Sequence, residues 1–309
     1  MTNSKATKHS RDIALQRAVD RDRLVAFASR ELVRFARQLR SSVTGAVRKS
    51  LDPMQAFTLA FLEFETIVVR YTSLMYAMGA YHPYIAAGEH LTRAGVALST
   101  YDEAMRYVRQ RAKMTADEIA AVSAAYGVEA ARVTREASAV VEGRVRRAVS
   151  RHVIAGGHIR EGVKALGVEF EAIGIGQKPY VLETLTRNQM NMSYAAGQWQ
   201  ANTDPALDEL IWGYEYVTIG DDRVREAHEA TNGMRAAKGA AIWQTASPPN
   251  GHNCRCTVIE IFNDERHATE KLPDDVASTP DTGWAFHPKN TNDLTLPKRP
   301  PIPPPPTSI

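Results

Sequence analysis

Cysteine is the scarcest residue of this sequence, with two in a chain of 309. Two cysteines cannot build the disulfide framework of a small secreted domain. They stand at Cys254 and Cys256, too close along one chain to bridge easily. No compact apolar run follows the polar first residues, so a secretory signal is also missing. We therefore expect a chain made in a reducing cytoplasm.

Long apolar runs and the common catalytic motifs are missing as well. The least charged stretch, residues 71–88, contains His82, Pro83 and two glycines, which makes it too polar to span a membrane. The sequence has no Gly-rich phosphate loop, nucleophile elbow, paired-carboxylate motif or HExxH. With 44% hydrophobic and 24% charged residues, the composition is that of a globular protein that can bury a sizeable core.

The net charge is only +3, but the charge is unevenly placed. Residues 5–49 contain twelve Lys or Arg and four Asp or Glu, and a second basic cluster comprises Arg144, Arg146, Arg147 and Arg151. Residues 264–281 are acidic by contrast. A basic end attracts polyanions such as DNA without specifying sequence, although a solvated helix face is the more common interpretation.

The first half of the sequence is predicted to be helical. Apolar residues recur at helical spacing through residues 13–39, and Pro53 suits the first position of a second helix. Residues 54–80 are densely apolar, which predicts a helix that is buried or packed against a partner. Further helices are predicted at 115–125 and 128–152.

The second half mixes short elements. We predict a helix from Lys178-Pro179 to about residue 200, a strand at 211–217, a short helix at 222–230 and a second strand at 254–262. Residues 297–306 are proline-rich and must be extended. The fold class is therefore α+β, with a mainly helical region at 1–152, a small mixed α/β domain at 153–263 and an extended tail at 264–309, acidic and then proline-rich.

Three polar blocks occur in order within the second half. The first contains Arg187, the second runs from Asp221 to His228 and closes with Asn232-Gly233, and the third is Trp243 followed by Pro248-Pro249-Asn250-Gly251-His252-Asn253-Cys254-Arg255-Cys256. Asp221 or Asp222 can cap the short helix, and Arg223 can fork onto a carboxylate or onto carbonyls. In the third block, Gly251 allows a positive φ, while Asn250 and Asn253 can fix the turn. The blocks are typical of parts that clasp helix, loop and strand together.

These blocks resemble the phage Mu-F-like head-morphogenesis family over residues 178–261. The resemblance implies a signature that is structural rather than catalytic, carried by Arg187, Asp222, Arg223, His228, Gly233, Trp243, Pro249, Gly251, Asn253, Cys254, Arg255 and Cys256. It also implies a minor head protein of the virion, at the capsid interior or portal vertex and in the host cytoplasm during assembly. Such a protein binds the portal or inner capsid and assists head morphogenesis, genome packaging or ejection.

The resemblance implies partners but no cofactor, no enzymatic activity and no membrane. The partners are the portal protein, a major capsid or scaffold protein, and packaged double-stranded DNA bound non-specifically. Composition suggests that residues 57–78 dock a protein, that residues 5–49 touch DNA, and that the proline tail reaches a neighbouring subunit.

Two alternatives remain for the polar blocks. His228, His252, Cys254 and Cys256 supply four zinc-type ligands, but Cys-x-Cys is tighter than the usual spacing, so we expect no metal. Mu-F-like domains also occur joined to toxin modules, and His228 with Arg223 and Asp222 could serve acid–base chemistry. The alternative function is thus a nuclease or ADP-ribosyltransferase-type effector delivered with the DNA.

Overall fold

The computed structural model describes residues 7–49, 51, 53–93, 139, 142–145, 147, 159–172, 180–265, 280, 281, 284, 287 and 288. Its helices are α1 (Lys8–Arg48), α2 (Pro53–Arg93), α3 (Ile159–Ala172), α4 (Tyr180–Asn202), α5 (Pro205–Asp208) and α6 (Glu226–Ala230). Its strands are β1 (Ile211–Val217), β2 (Arg235–Ala237) and β3 (Thr257–Phe262), and two 3₁₀ turns cover Ala241–Gln244 and Asn263–Glu265. The predicted α+β class is confirmed. The helix predicted at 115–125, most of that at 128–152 and the proline-rich tail lie outside the described residues.

The described residues group into two compact units. The first contains residues 7–22, 73–93 and 190–265 with the five described residues from 280 to 288, and the second contains the remainder. The units do not follow the three consecutive stretches 1–152, 153–263 and 264–309, because α1, α2 and α4 each contribute residues to both. That three-part division of the chain remains a prediction.

The core of the second unit is aromatic and lies between α1 and α2. The Phe35 ring meets Phe61 edge-on at 5.6 Å and stacks on Phe64 at 5.7 Å, while Phe57 packs on Phe61 at 4.6 Å. All four side chains are buried. Helix α2 begins at Pro53, as predicted, since proline has no N–H to leave unsatisfied in a first turn. The sequence predicts that residues 54–80 are either buried or packed against a partner. The inward face of this helix is buried in the chain's own core.

Two glycines allow close approach of α2 and α4 within the first unit. A Cβ at Gly79 would overlap the backbone carbonyl of Tyr194, and a Cβ at Gly197 would overlap that of Tyr76. The two helices therefore meet backbone to backbone, a contact that no side chain larger than hydrogen permits.

A three-stranded antiparallel sheet of order β2–β1–β3 lies in the first unit. Tyr214 at the centre of β1 stands opposite Ala236 of β2 and Glu260 of β3. The strand predicted at 211–217 is confirmed with its bounds. The sequence prediction missed β2, since Arg-Ala-Ala has no β-branched or aromatic residue to mark it.

Strand β3 begins at Thr257, three residues later than predicted. The carbonyls of Cys254 and Arg255 are instead occupied by side chains, Asn191 donating to the first at 2.9 Å and Arg21 to the second at 2.7 Å. Two aromatic residues of β1 belong to the core, because Tyr214 and Tyr216 are buried with Trp243, Met234 and Phe262. Within the described part of the chain, no helix is both long and apolar enough to cross a membrane.

Candidate functional site

A buried carboxylate on β3 organises the first polar cluster. Glu260 Oε2 pairs with Arg17 of α1 at 2.7 Å, and both side chains are buried. Its Oε1 accepts hydrogen bonds from Gln198 at 2.9 Å and Asn202 at 3.2 Å, both on α4. Burial alone would raise the pKa of Glu260, but the Arg17 charge and these hydrogen bonds hold it below its ordinary value. One carboxylate thus ties α1 and α4 to the sheet.

A second buried carboxylate, Glu215, performs the same task on β1. Arg235 of β2 donates to its Oε2 from Nε at 3.1 Å and from a terminal nitrogen at 2.9 Å. Ser10 of α1 donates to the same oxygen at 2.7 Å, and the Thr7 backbone amide reaches Oε1 at 3.3 Å. The beginning of α1 is therefore anchored to the central strand.

The second sequence block is braced by Arg255 rather than by Arg223. Arg255 contacts both oxygens of Asp221 at 2.6 Å, which holds the pKa of this carboxyl below its usual range. Arg223 also reaches Asp221, at 3.2 Å, but its side chain is 72% exposed. The capping prediction for Asp221 or Asp222 is wrong: α6 begins at Glu226, and the residue before it makes no side-chain capping bond. Asp221 instead accepts from the Arg223 amide within the preceding turn.

The third block forms a loop in which the residue with a positive φ is not the predicted one. The positive φ falls on Asn253, at 57°, and not on Gly251 as the sequence suggested. Gly251 lies against the Asp281 carboxylate, which a Cβ at this position would displace. Asn250 donates to the Ala246 carbonyl at 3.0 Å and to the Tyr216 hydroxyl at 3.2 Å, fixing the loop to β1.

Trp243 and Pro249 belong to the packing around this loop. The Trp243 indole is buried, donates to the Ala237 carbonyl at 3.0 Å and meets Tyr214 edge-on. The Pro249 carbonyl accepts from Trp284 at 2.7 Å. Gly233 takes a φ of 84° after α6, and its amide donates to the Tyr216 carbonyl at 2.7 Å. Trp243, Pro249 and Gly233 thus take part in packing or hydrogen bonding around this loop and β1.

His228 lies between the two cysteines. Its Nδ1 is 3.7 Å from Cys254 Sγ and 3.7 Å from Cys256 Sγ, and all three side chains are buried. The hydrogen bond with Cys256, together with one from His228, holds the pKa of Cys254 well below that of a free thiol despite burial. The hydrogen bond with Cys254, together with burial, raises the pKa of Cys256. The pKa values of the two thiols are thus shifted in opposite directions.

Asp281 completes the surroundings of this cluster. Its Oδ1 lies 3.6 Å from His228 Nε2, its Oδ2 lies 3.3 Å from Arg225 Nε, and its amide donates to the Asn250 carbonyl at 2.8 Å. Within the described residues, His228 Nε2 is buried and has no hydrogen-bond partner. The carboxylate therefore faces a nitrogen whose bonding capacity is unused.

Two predicted residues stand apart from this cluster. His252 is exposed, its ring meets Trp284 edge-on at 5.1 Å, and its carbonyl accepts a hydrogen bond from Arg225 at 2.7 Å. It does not belong to the group of metal-type ligands. Arg187 is half-buried on α4 in the second unit, whereas the rest of the signature lies in the first.

Sequence reasoning missed the partners that α1 and the tail supply. Arg17 and Arg21 fall on the apolar stripe of α1, with Ala14, Ala18 and Val25, where an arginine signals a buried partner. Glu215 and Glu260 carried the matching signal, because each interrupts a buried strand. The sequence has no comparable signal for Asp281.

Comparison with known proteins agrees with these motifs. The model of the family described as Phage Mu protein F like protein matches residues 143–259. Two curated relatives are similar over 80 residues, or 26% of this chain: the Mu-like prophage FluMu F protein of Haemophilus influenzae, 32% identical, and the Putative capsid assembly protein F of Escherichia phage Mu, 34% identical. The chain spans 19% and 18% of their lengths, respectively. No solved structure matches it significantly.

The matched segment contains α6, the sheet strands β1 and β2 and the loop that carries both cysteines. The resemblance drawn from the three sequence blocks is therefore confirmed by an independent comparison. Through residues 143–259, the chain is similar to the Phage Mu protein F like family.

Proposed function

We propose that this protein acts in the assembly of a phage head. The observation that carries the proposal is the family match over residues 143–259, joined to similarity with a phage Mu protein whose name describes capsid assembly. The protein would accompany the virion, at the portal vertex or capsid interior, and assist packaging or ejection of the genome.

Binding rather than catalysis is the proposed mechanism. The carboxylates of Glu260, Glu215 and Asp221 are all engaged by arginines of the same chain. Groups committed in this way brace the fold and are poorly placed to exchange protons with a substrate. Nuclease and transferase assays of the purified chain should therefore show no activity, and activity that disappears in His228→Ala would favour the effector alternative instead.

The portal protein is the proposed docking partner, and the outward face of α2 is the proposed contact. Leu59 and Leu62 lie one helical turn apart and are 64% and 60% exposed. We propose this face rather than the whole of residues 57–78, which the composition suggested. Phe57, Phe61 and Phe64 are buried inside the chain and are not available to a partner. Exposed leucines at this spacing suit an apolar protein groove.

The docking proposal predicts that Leu59→Lys with Leu62→Lys abolishes co-purification with the portal protein of the same genome. Lysine keeps the helix but cannot enter an apolar contact. The matched control is Leu15→Lys with Val168→Lys, which also replaces two exposed apolar residues and should preserve binding. Equal binding by both variants would contradict the proposed surface. Normal infective titre and filled heads after deletion of the gene would contradict the assembly role itself.

Packaged DNA is the second proposed partner, bound by the outward face of α1. Arg30, Arg34 and Arg37 line an open groove of about 380 Å³ with Ser29 and Val33. Arg17 and Arg21 of the same helix are buried and serve the fold, so fewer basic residues are available than the composition of residues 5–49 suggested.

Changing Arg30, Arg34 and Arg37 together to Gln should weaken binding to duplex DNA regardless of sequence. Each lost phosphate contact reduces the slope of log K against log salt by about 0.9. Fluorescence anisotropy at several salt concentrations measures this slope. The control replaces Lys8, Arg48 and Lys49 by Gln, removing the same charge at the ends of α1 and just beyond it. Identical slopes for both triple variants would reject the groove as the contact.

A further inference from the structure

We propose that His228, Cys254 and Cys256 form a binding site for a zinc ion. This inference does not depend on the proposed function. The sequence argued against zinc because Cys-x-Cys spacing is unusually tight. The structure removes this objection, since the third ligand comes from α6, 26 positions before Cys254 and 28 before Cys256, and all three ligand atoms lie within 4.8 Å of one another.

The distances fit a tetrahedral zinc ion. Bonds of about 2.0–2.1 Å to nitrogen and about 2.3 Å to sulfur place a ligand nitrogen and sulfur roughly 3.5 Å apart. His228 Nδ1 lies 3.7 Å from each sulfur. With all three ligand atoms within 4.8 Å of one another, an ion placed between them would reach each of them. Thiolates and imidazole select zinc over magnesium or calcium, which prefer oxygen.

The imidazole is oriented as a metal ligand requires. Nδ1 faces the sulfurs, while Nε2 is buried, unpartnered among the described residues and 3.6 Å from Asp281 Oδ1. A ligating histidine usually donates its second N–H to a carboxylate, which fixes the tautomer. Asp281 is itself held by its amide bond to the Asn250 carbonyl and by Arg225. A small movement of its carboxylate would complete the hydrogen bond.

Charge and rigidity also favour the ion. Two thiolates and one Zn²⁺ sum to zero, so the occupied site adds no net charge to a buried position. Asn191 holds the Cys254 carbonyl and Arg21 the Arg255 carbonyl, so the backbone that carries both sulfurs is fixed before a metal arrives. The fourth position is left for water or another donor.

The test is the zinc content of the full chain, purified under reducing conditions from cells supplied with zinc and iron. Mass spectrometry of the metals should find about one zinc per chain. Cys254→Ser and Cys256→Ser should each lose it, whereas His252→Gln should retain it because His252 lies outside the cluster. Zinc retained by both serine variants, or iron in its place, would overturn the proposal.

A second measurement tests the site in the wild-type chain, so the result does not depend on whether the serine variants fold. Cobalt(II) added to the metal-free wild-type chain should produce the thiolate-to-cobalt charge-transfer band of a tetrahedral site. Asp281→Asn should keep the band and lower zinc affinity about 10–100-fold in competition with a chelator, since Asp281 orients the ligand without binding the metal. A folded wild-type chain with no cobalt band and two freely reactive thiols would also overturn it.

Discussion

Replacing Arg17 by methionine is expected to lower the free energy of unfolding by about 3–5 kcal/mol, the cost of leaving one member of a buried ion pair unpaired. Methionine fills much of the same volume but leaves the Glu260 carboxylate charged in a buried position. Gln198 and Asn202 of α4 would still donate to this carboxylate, and neither carries a charge. Urea unfolding followed by circular dichroism measures the loss.

The double variant Arg17→Met with Glu260→Gln should recover most of that stability. Glutamine removes the second charge and keeps an oxygen to accept from Gln198 and Asn202. The matched control is Glu31→Gln, which breaks the exposed pair with Arg70 at 3.0 Å and should cost about 0–1 kcal/mol. A double variant as unstable as the single one would show that Arg17 contributes packing rather than charge pairing.

Alanine at Gly79 or Gly197 is expected to destabilise the chain by about 1–3 kcal/mol or more, the range for overpacking a close contact. Each added methyl group would overlap a backbone carbonyl of the facing helix, which cannot move aside as the end of a flexible side chain can. The melting temperature and the urea midpoint of each variant measure the effect.

Gly45→Ala provides the control for these two substitutions. Gly45 lies within α1, and a Cβ there would meet nothing within 4 Å. Alanine at an open helical position should stabilise the chain by roughly 0.5–1 kcal/mol, because glycine loses more backbone entropy on folding. A loss of stability at Gly45 equal to that at Gly79 would mean that helix geometry, and not the contact between helices, sets the requirement for glycine.

The zinc proposal and the ion-pair prediction concern neighbouring parts of one assembly. Arg17 and Arg21 are one turn apart on α1, and they reach β3 and the carbonyl between the two cysteines, respectively. Loss of either arginine would therefore disturb the backbone next to the proposed metal ligands. The first part of α1 thus contacts the segment that resembles the family, although the family match begins only at residue 143.

The sequence by itself determined the elements that rest on local patterns. Periodicity and the position of Pro53 predicted α1 and α2, aromatic and β-branched residues predicted β1, and the three polar blocks identified the family. Each of these signals is contained within a few tens of residues, so it can be recognised without knowing how the chain folds back on itself.

The tertiary structure alone decided which polar groups meet. Arg17 pairs with Glu260 across 243 positions, and Gly251 lies against the Asp281 carboxylate. The three candidate zinc ligands come together because α6 and the loop before β3 pack side by side in the folded chain. Such contacts depend on burial and on the closure of long loops, which residue types and spacing do not encode.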